Sequence, residues 1–400
     1  MNKNNKKSGI PVITQVLNLL DRDKINRTAK ENASDRYYKS FKTMEHLVTM
    51  MYVVLSGCTG LREITSIMLA CEGKINHLGL KYFPKRSTIS DGNRDRKSKV
   101  FSDIYFGVYN KYRRNLSDSS QKDAIIQHLK IVDSTTISLF SDILKGVGRN
   151  PINGKKKGGI KMHTMINASE DVPMLVRFTS AATHDHTFLK ELGLMKGSII
   201  VFDKGYVDYV QYYRWNLDEI YFVTRQKDNA VWESIEEFEI PDNSHNGVLK
   251  DEKIQIVKDG QTITLRRIAF WAEDHKKLYE FITNNYEFSA EKIAEIYKRR
   301  WQIELLFKRL KQNFPLKYFL GDSQNAIEIQ IWVSLIVQLL MLVIQKQAKR
   351  KWAFSNMVSV IRFHLMTYID LFRFLNSPDS DWSYLTTKNE GQLVLDFDTS

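Results

Sequence analysis

The chain has 400 residues, 43% of them hydrophobic and 26% charged, which fits a globular protein with a sizeable core and excludes a disordered one. Its net charge of +13 points to a polyanionic partner, nucleic acid foremost. The two cysteines, Cys58 and Cys71, lack metal-ligand spacing and exclude a disulfide scaffold and a zinc site.

Residues 1–120 carry 22 Lys/Arg against 11 Asp/Glu and so supply +11 of the excess. The first twelve residues are basic but no apolar h-region follows, so no secretory signal is expected and the protein is placed in the cytoplasm, with the nucleoid. Apolar spacing near 3.6 predicts helices over residues 12–20, 46–55 and 61–69. A helix start is expected at Ser87, and residues 94–112, where basic and aromatic side chains alternate, predict another helix. Residues 1–122 thus read as a helical accessory or DNA-binding domain; a packing domain with a solvated basic face is the other reading.

The texture changes near residue 125. Residues 125–126 and 129–132 are β-prone and end at Asp133. Residues 160–168 and 173–181 read as a hairpin, 184–192 as a short helix, and 198–202 as an apolar strand ending at Asp203. A helix over 207–215 and a strand over 220–224 follow. The alternation predicts an α/β fold, a mixed sheet flanked by helices, with residues 123–226 as its first part. Period-2 segments at 253–257 and 261–269 flank Asp259-Gly260, a hairpin signal, and make residues 227–288 a β-rich insertion. Residues 289–350 return to the core, and 351–400 form a helical C-terminal region with a polar tail. Within this part, residues 329–345 are 17 uncharged residues, short of the ~20 apolar residues a membrane span needs, and predict a buried helix.

The most informative segment is 289–314, read as one long amphipathic helix. Tyr297, Arg300, Glu304 and Lys311 fall within about 60° of its circumference, while Ile296, Ile303, Leu306, Phe307 and Leu310 take the neighbouring arc and face a core. One carboxylate among two cations and a phenol suits work on a phosphate group: the cations hold the anion and the carboxylate carries a metal. Asp133 and Asp203, at the ends of strands that a mixed sheet can set side by side, complete a hard oxygen site with Glu304 for Mg²⁺ or Mn²⁺, two ions in all. Taken singly, each Asp reads as a turn or cap residue and Glu304 as a salt-bridge partner on a helix surface.

Other residues are candidates of lesser weight. Lys161 and His163 alternate on the strand predicted beside that of Asp133, so one face would meet DNA; a hydrogen-bonded structural role for His163 stands equal to this. Lys155, Lys156 and Lys157 read as a loop that grips phosphates or is simply solvated. His184 and Asp185 read as a helix cap, and Arg225 as a further phosphate contact.

The signature Tyr-x2-Arg-x3-Glu-x6-Lys, met by Tyr297, Arg300, Glu304 and Lys311 without departure, resembles that of DDE transposases of insertion-sequence family 4. Asp203-Lys204-Gly205-Tyr206-Val207-Asp208 resembles the block around the family's second aspartate, and Ile131-Val132-Asp133-Ser134-Thr135 the first. Residues 159–163 and 183–185 are similar to segments between them. Leu61-Arg62-Glu63-Ile64 resembles the accessory domain of one branch, so the likeness covers most of residues 10–345. It implies an RNase H-like core with a β insertion between the second aspartate and the glutamate. It also implies metal-dependent cleavage at element ends, with a DNA hairpin as one route, and strand transfer into double-stranded target DNA. Tyr297, Arg300 and Lys311 would contact phosphates, a homodimer would pair two ends, and a tryptophan of the insertion, Trp232 or Trp271, would stack on an extruded base. The rivals are a nuclease on the same scaffold without strand transfer and a transposase-derived DNA-binding protein that no longer cuts.

Overall fold

A nine-stranded mixed sheet with helices on both faces organises the chain. The structure is a computed structural model and describes residues 9–69, 71–117, 123–138, 159–240, 247–258, 260–314, 316 and 318–378. The Lys155–157 loop, Asp259 and the polar tail from residue 379 lie outside the described residues.

Helices α1 (Val12–Leu17), α2 (Arg22–Glu31), α3 (Thr43–Ser56), α4 (Leu61–Leu69), α5 (Arg86–Asp95) and α6 (Ser98–Leu116) come first, then a short α7 (Ala124–His128). Strands β1 (Leu129–Ser138), β2 (Gly159–Asn167), β3 (Pro173–Ser180) and β4 (Ile199–Phe202) follow; then come α8 (Tyr209–Leu217) and β5 (Tyr221–Arg225). β6 (Glu233–Glu237), β7 (Val248–Lys258), β8 (Gln261–Ala272) and β9 (Lys277–Thr283) lead to α9 (Ala290–Lys298), α10 (Trp301–Asn313), α11 (Gln324–Gln347), α12 (Phe354–Phe363) and α13 (Leu371–Asn376).

The strand order is β3-β2-β1-β4-β5-β9-β8-β7-β6, with β1, β4 and β5 parallel and the remaining neighbours antiparallel. The first five strands have the RNase H-like arrangement expected from the resemblance. The β-rich stretch is joined to them edge to edge: β9 pairs with β5, so β6 to β9 continue the same sheet.

Side-chain alternation sorts the two faces. Ile199 and Val201 of β4 join the larger core with Leu129 and Ile131, under α9, α10 and α11; Ile200 and Phe202 join a second core with Val132, Tyr212, Trp215 and Phe222. A strand buried on both faces reads as a continuous apolar run, which is why residues 198–202 were legible. α11 is long and apolar enough by composition to cross a membrane, yet 94% of its most apolar window is buried inside the fold, against α3, α5, α6 and α12. It is the core helix that residues 329–345 predicted.

Several boundaries differ from the sequence reading. Residues 125–126 lie in α7, a turn of helix capped by the Asp123 side chain, not in a strand. β1 runs five residues past Asp133; only its parallel pairing with β4 stops at Val132 opposite Phe202. Residues 184–192 form a 3₁₀ turn over Asp185–Glu191. The helix expected from Arg94 begins at Ser98, because Arg96 takes an extended conformation that buries its guanidinium on the Phe41 carbonyl, Ser34 and His46. The C-terminal helical stretch breaks after Phe363, where the carbonyls of Leu365 and Thr367 accept the N–H groups of Ile13 and Val12.

The long helix at 289–314 is also divided. Around Arg299 and Arg300 the hydrogen bonds tighten to i→i−3, with the Arg300 N–H donating to Tyr297 O (3.0 Å) and that of Ile303 to Arg300 O (3.3 Å). α9 and α10 therefore join through a tight turn that over-rotates the chain relative to a uniform 100° per residue.

Candidate active site

The parity of the sheet decides where the acidic side chains point. Asp133 shares the face of Leu129 and Ile131, and Asp203 that of Ile199 and Val201, so both lie on the side covered by α9 and α10. They sit on adjacent parallel strands, each one residue beyond the last paired position. α9 starts at Ser289, whose hydroxyl accepts the Lys292 N–H, and its apolar stripe of Ile293, Ile296 and Tyr297 packs onto the sheet. α10 buries Ile303, Leu306, Phe307 and Leu310, which leaves Glu304 at the edge beside β1.

Two guanidiniums hold the three carboxylates. Arg300 Nη1 donates to Asp133 Oδ2 (3.1 Å) and Nη2 to Glu304 Oε1 (2.6 Å). Arg225, at the end of β5, donates Nη2 to Asp203 Oδ1 (2.7 Å), and the Tyr297 hydroxyl lies 3.4 Å from the same oxygen. The Tyr297 ring stands between both guanidiniums, 5.8 Å from Arg225 and 5.7 Å from Arg300. The spacing Arg300-x3-Glu304 allows the first contact, and the β4–β5 pairing brings Arg225 to Asp203. Lys311 stands further along α10, its Nζ donating to the Thr136 carbonyl (3.2 Å). Trp301, exposed over 57% of its surface, follows Arg300 directly and was passed over in the sequence.

The electrostatics follow from burial. Burial pushes the Asp133 carboxyl up to about 6; Ser134 N–H and Arg300 oppose this, and the charges of Asp203 and Glu304 add to it. Burial works against Asp203 as well, but the hydrogen bond and charge of Arg225 outweigh it and hold the carboxyl below its usual value. Burial raises the Tyr297 phenol to about 12, so it stays a donor. Because folded Asp133 holds its proton more tightly than the unfolded chain, the stability it contributes is fully present below about 3.8 and lost as pH rises through about 6. In metal-free buffer, Asp133→Asn is expected to be more stable than the parent by up to about 3 kcal/mol at pH 8, with no gain at pH 3.5; urea unfolding at both pH values checks this. Arg300 keeps Glu304 in that variant, so no cation is orphaned.

The donor set fits a hard divalent cation in chemistry: three carboxylates from two strands and a helix, with Asp133 still resisting ionisation despite its arginine. Among the described residues no three acidic, His or Cys side chains close on a single point, and the Arg300 and Arg225 guanidiniums lie on these carboxylates. Asp133, Asp203 and Glu304 are the residues that would hold the ion.

Lys161 and His163 do not share this face. Cross-strand pairing sets His163 opposite Ser134 and Lys161 opposite Thr136, one residue out of step with Asp133, so their side chains leave the sheet on the other side. His163 is wholly buried, stacked on Phe188, and burial lowers it to about 4, so the ring is neutral near pH 7. Lys161 Nζ donates to the Thr183 carbonyl (2.9 Å) and lies 3.1 Å from Asp185 Oδ1, which also accepts from Ser134 Oγ (2.8 Å). The expected DNA-facing role of Lys161 and His163 is thus corrected to an internal one, bracing the strand that carries Asp133. Asp185, read as a cap, is the hub of that network. The resemblance at residues 183–185 marks the segment but not these partners, which arrive through strand register.

The tryptophan candidates differ in setting. Trp232 lies over the Arg267 guanidinium (4.6 Å), whereas Trp271 is 38% exposed and donates its indole N–H to Glu273 (2.7 Å).

The chain is similar to several known proteins. The transposase DDE domain family matches residues 127–340, and a domain of unknown function matches residues 8–81. A relative in Synechocystis named as the transposase of an insertion sequence element is 30% identical over 276 residues, 66% of this chain and 73% of its own length. One named as a transposase in Sinorhizobium fredii is 29% identical over 263 residues, 64% of this chain and 71% of its own. Among solved structures, a cryo-EM structure of the piggyBac transposase synaptic complex with hairpin DNA is 10% identical over 98% of this chain and 88% of that chain, with a TM-score of 0.42. With over half its length matched, and with the carboxylate-bearing strands and helix inside that stretch, the chain belongs to the transposase DDE domain family.

Proposed function

We propose that the protein cuts double-stranded DNA at the ends of an insertion sequence and joins the freed strand to target DNA, acting as a homodimer on paired ends in the nucleoid. The observation that supports this most is the meeting of Asp133, Asp203 and Glu304 with Arg225, Tyr297 and Arg300 at one sheet edge inside the matched domain. Two Mg²⁺ or Mn²⁺ ions held by the three carboxylates would supply Lewis-acid charge to the phosphodiester and make bound water nucleophilic near neutral pH.

The chain's own side chains supply the rest. Arg300 and Arg225 present planar forks that match two phosphate oxygens each, and the Tyr297 phenol donates a proton-bearing contact between them. Lys311 adds a point charge for a neighbouring phosphate. An open depression of about 500 Å³ beside Asp203, lined by Lys204, Gly205, Lys227, Asp228 and Asn229, gives the strand a way in. In this reading residues 1–122, with their +12 charge, hold DNA next to the core, and Trp232 or Trp271 of the insertion receives an extruded base.

The test is product analysis. Purified full-length protein is incubated with Mg²⁺ and a plasmid carrying this reading frame with its native flanks, and all new junctions are sequenced. Cuts at inverted repeats together with joints to a second duplex are expected. Cut ends without joints would make it a nuclease, and binding without cuts a non-catalytic relative; either result overturns the proposal.

A further inference from the structure

The cations proposed to grip phosphate are the same ones that now grip the carboxylates. Arg300 spans Asp133 and Glu304, and Arg225 and Tyr297 take Asp203, so each member of the acidic trio has an oxygen engaged by one of these side chains. A divalent ion and a guanidinium cannot both lie close to these oxygens without strong repulsion in a half-buried setting. A second observation concerns the arginines themselves. Arg225 Nε and Arg300 Nε are both buried, and among the described residues neither has a hydrogen-bond partner. Each guanidinium is therefore incompletely satisfied where it sits, and an incoming phosphate offers it more acceptors than it has now.

We infer that Arg300 and Arg225 are placeholders for the metal: they lower the affinity of the three carboxylates for divalent cations until an anion draws them away, so that metal and DNA backbone bind cooperatively. This rests on the transposase reading of the site and adds to it an order of assembly. Without DNA the carboxylates stay neutralised by arginine and the site takes up metal weakly. With a phosphate present, the forks rotate onto it and the freed oxygens face a cation. Linkage then requires that metal tighten the hold on phosphate by the same factor. No bond is made or broken in this exchange; one set of ion pairs replaces another.

The experiment uses Mn²⁺ alone as the probe, with full-length protein free of DNA, and reads bound ion by its electron paramagnetic resonance signal. Arg300→Gln is expected to bind Mn²⁺ about tenfold more tightly than the parent, and Arg225→Gln several-fold more tightly, while Asp133→Asn loses the site. Sulfate replacing chloride at constant ionic strength should tighten Mn²⁺ binding in the parent, and less so in Arg300→Gln, where only Arg225 is left to be drawn away. Unfolding midpoints confirm that each variant is folded; should Arg300→Gln fail to fold, Arg225→Gln carries the comparison. Binding that depends on Asp133 but is unchanged or weaker in the arginine variants overturns the placeholder role and leaves the transposase reading standing. Absence of any Asp133-dependent Mn²⁺ binding overturns both. A parent indifferent to sulfate overturns the hand-over to an anion.

Discussion

Asp203→Asn is expected to lower DNA strand cleavage at least about a thousandfold, while binding to the same DNA changes by less than about threefold. The amide keeps the size of the side chain and can still accept from Arg225, but it gives up the charge on which a divalent ion depends. A thousandfold loss corresponds to about 4 kcal/mol of transition-state stabilisation, within the range a Lewis acid supplies to a phosphodiester. Asp133→Asn and Glu304→Gln should behave alike, because the three act on one centre and their losses will not add. Single-turnover cleavage and gel-shift titration on one substrate separate the two effects. Near-normal cleavage by any of the three variants would remove that residue from the centre.

The second large effect concerns stability, and it arises well away from the carboxylates. Arg266 on β8 holds both oxygens of Asp251 on β7 (2.9 and 2.6 Å) and donates to the carbonyl of Phe288 (2.6 Å), just before Ser289 caps α9. Both side chains are only 8% exposed. Arg266→Met leaves a buried carboxylate without a partner and frees the segment that launches α9, so a loss of about 3–5 kcal/mol is expected in denaturant unfolding. Adding Asp251→Leu removes the stranded charge and should restore most of it. Since α9 carries Tyr297, the single variant should also loosen the active-site edge, and the double variant should recover activity along with stability. Equal instability of the single and double variants would show that the ion pair is not the cause.

The sequence made the acidic trio legible because each member has a local mark. Asp203 ends a run that is apolar on both faces, Asp133 follows the β-prone stretch 129–132, and Glu304 follows an arginine by one helical turn. Helix–strand alternation likewise gave the mixed sheet, since buried parallel strands and amphipathic helices have different periods. What was hidden depends on register. Sliding a strand by one residue reverses its faces, and nothing local states that His163 lies opposite Ser134 and not Asp133; so the sequence did not tell which face Lys161 and His163 share. Asp185 gathers Ser134 and Lys161 from two different strands, partners that the resemblance at residues 183–185 does not state. Arg225 was under-weighted for the same reason, its link to Asp203 being a matter of which strand lies beside β4. The tightened turn at Arg299–Arg300 arises from hydrogen-bond geometry that residue spacing does not report.

Iron-directed cleavage of the polypeptide tests the shared centre most directly. Fe²⁺ bound in place of the divalent ion, with ascorbate and peroxide, generates hydroxyl radicals that cut the nearest backbone. The account predicts three clusters of cuts, around residues 133, 203 and 304, all lost together in Asp203→Asn. Cuts confined to other segments, or a pattern indifferent to Asp203→Asn, would contradict it.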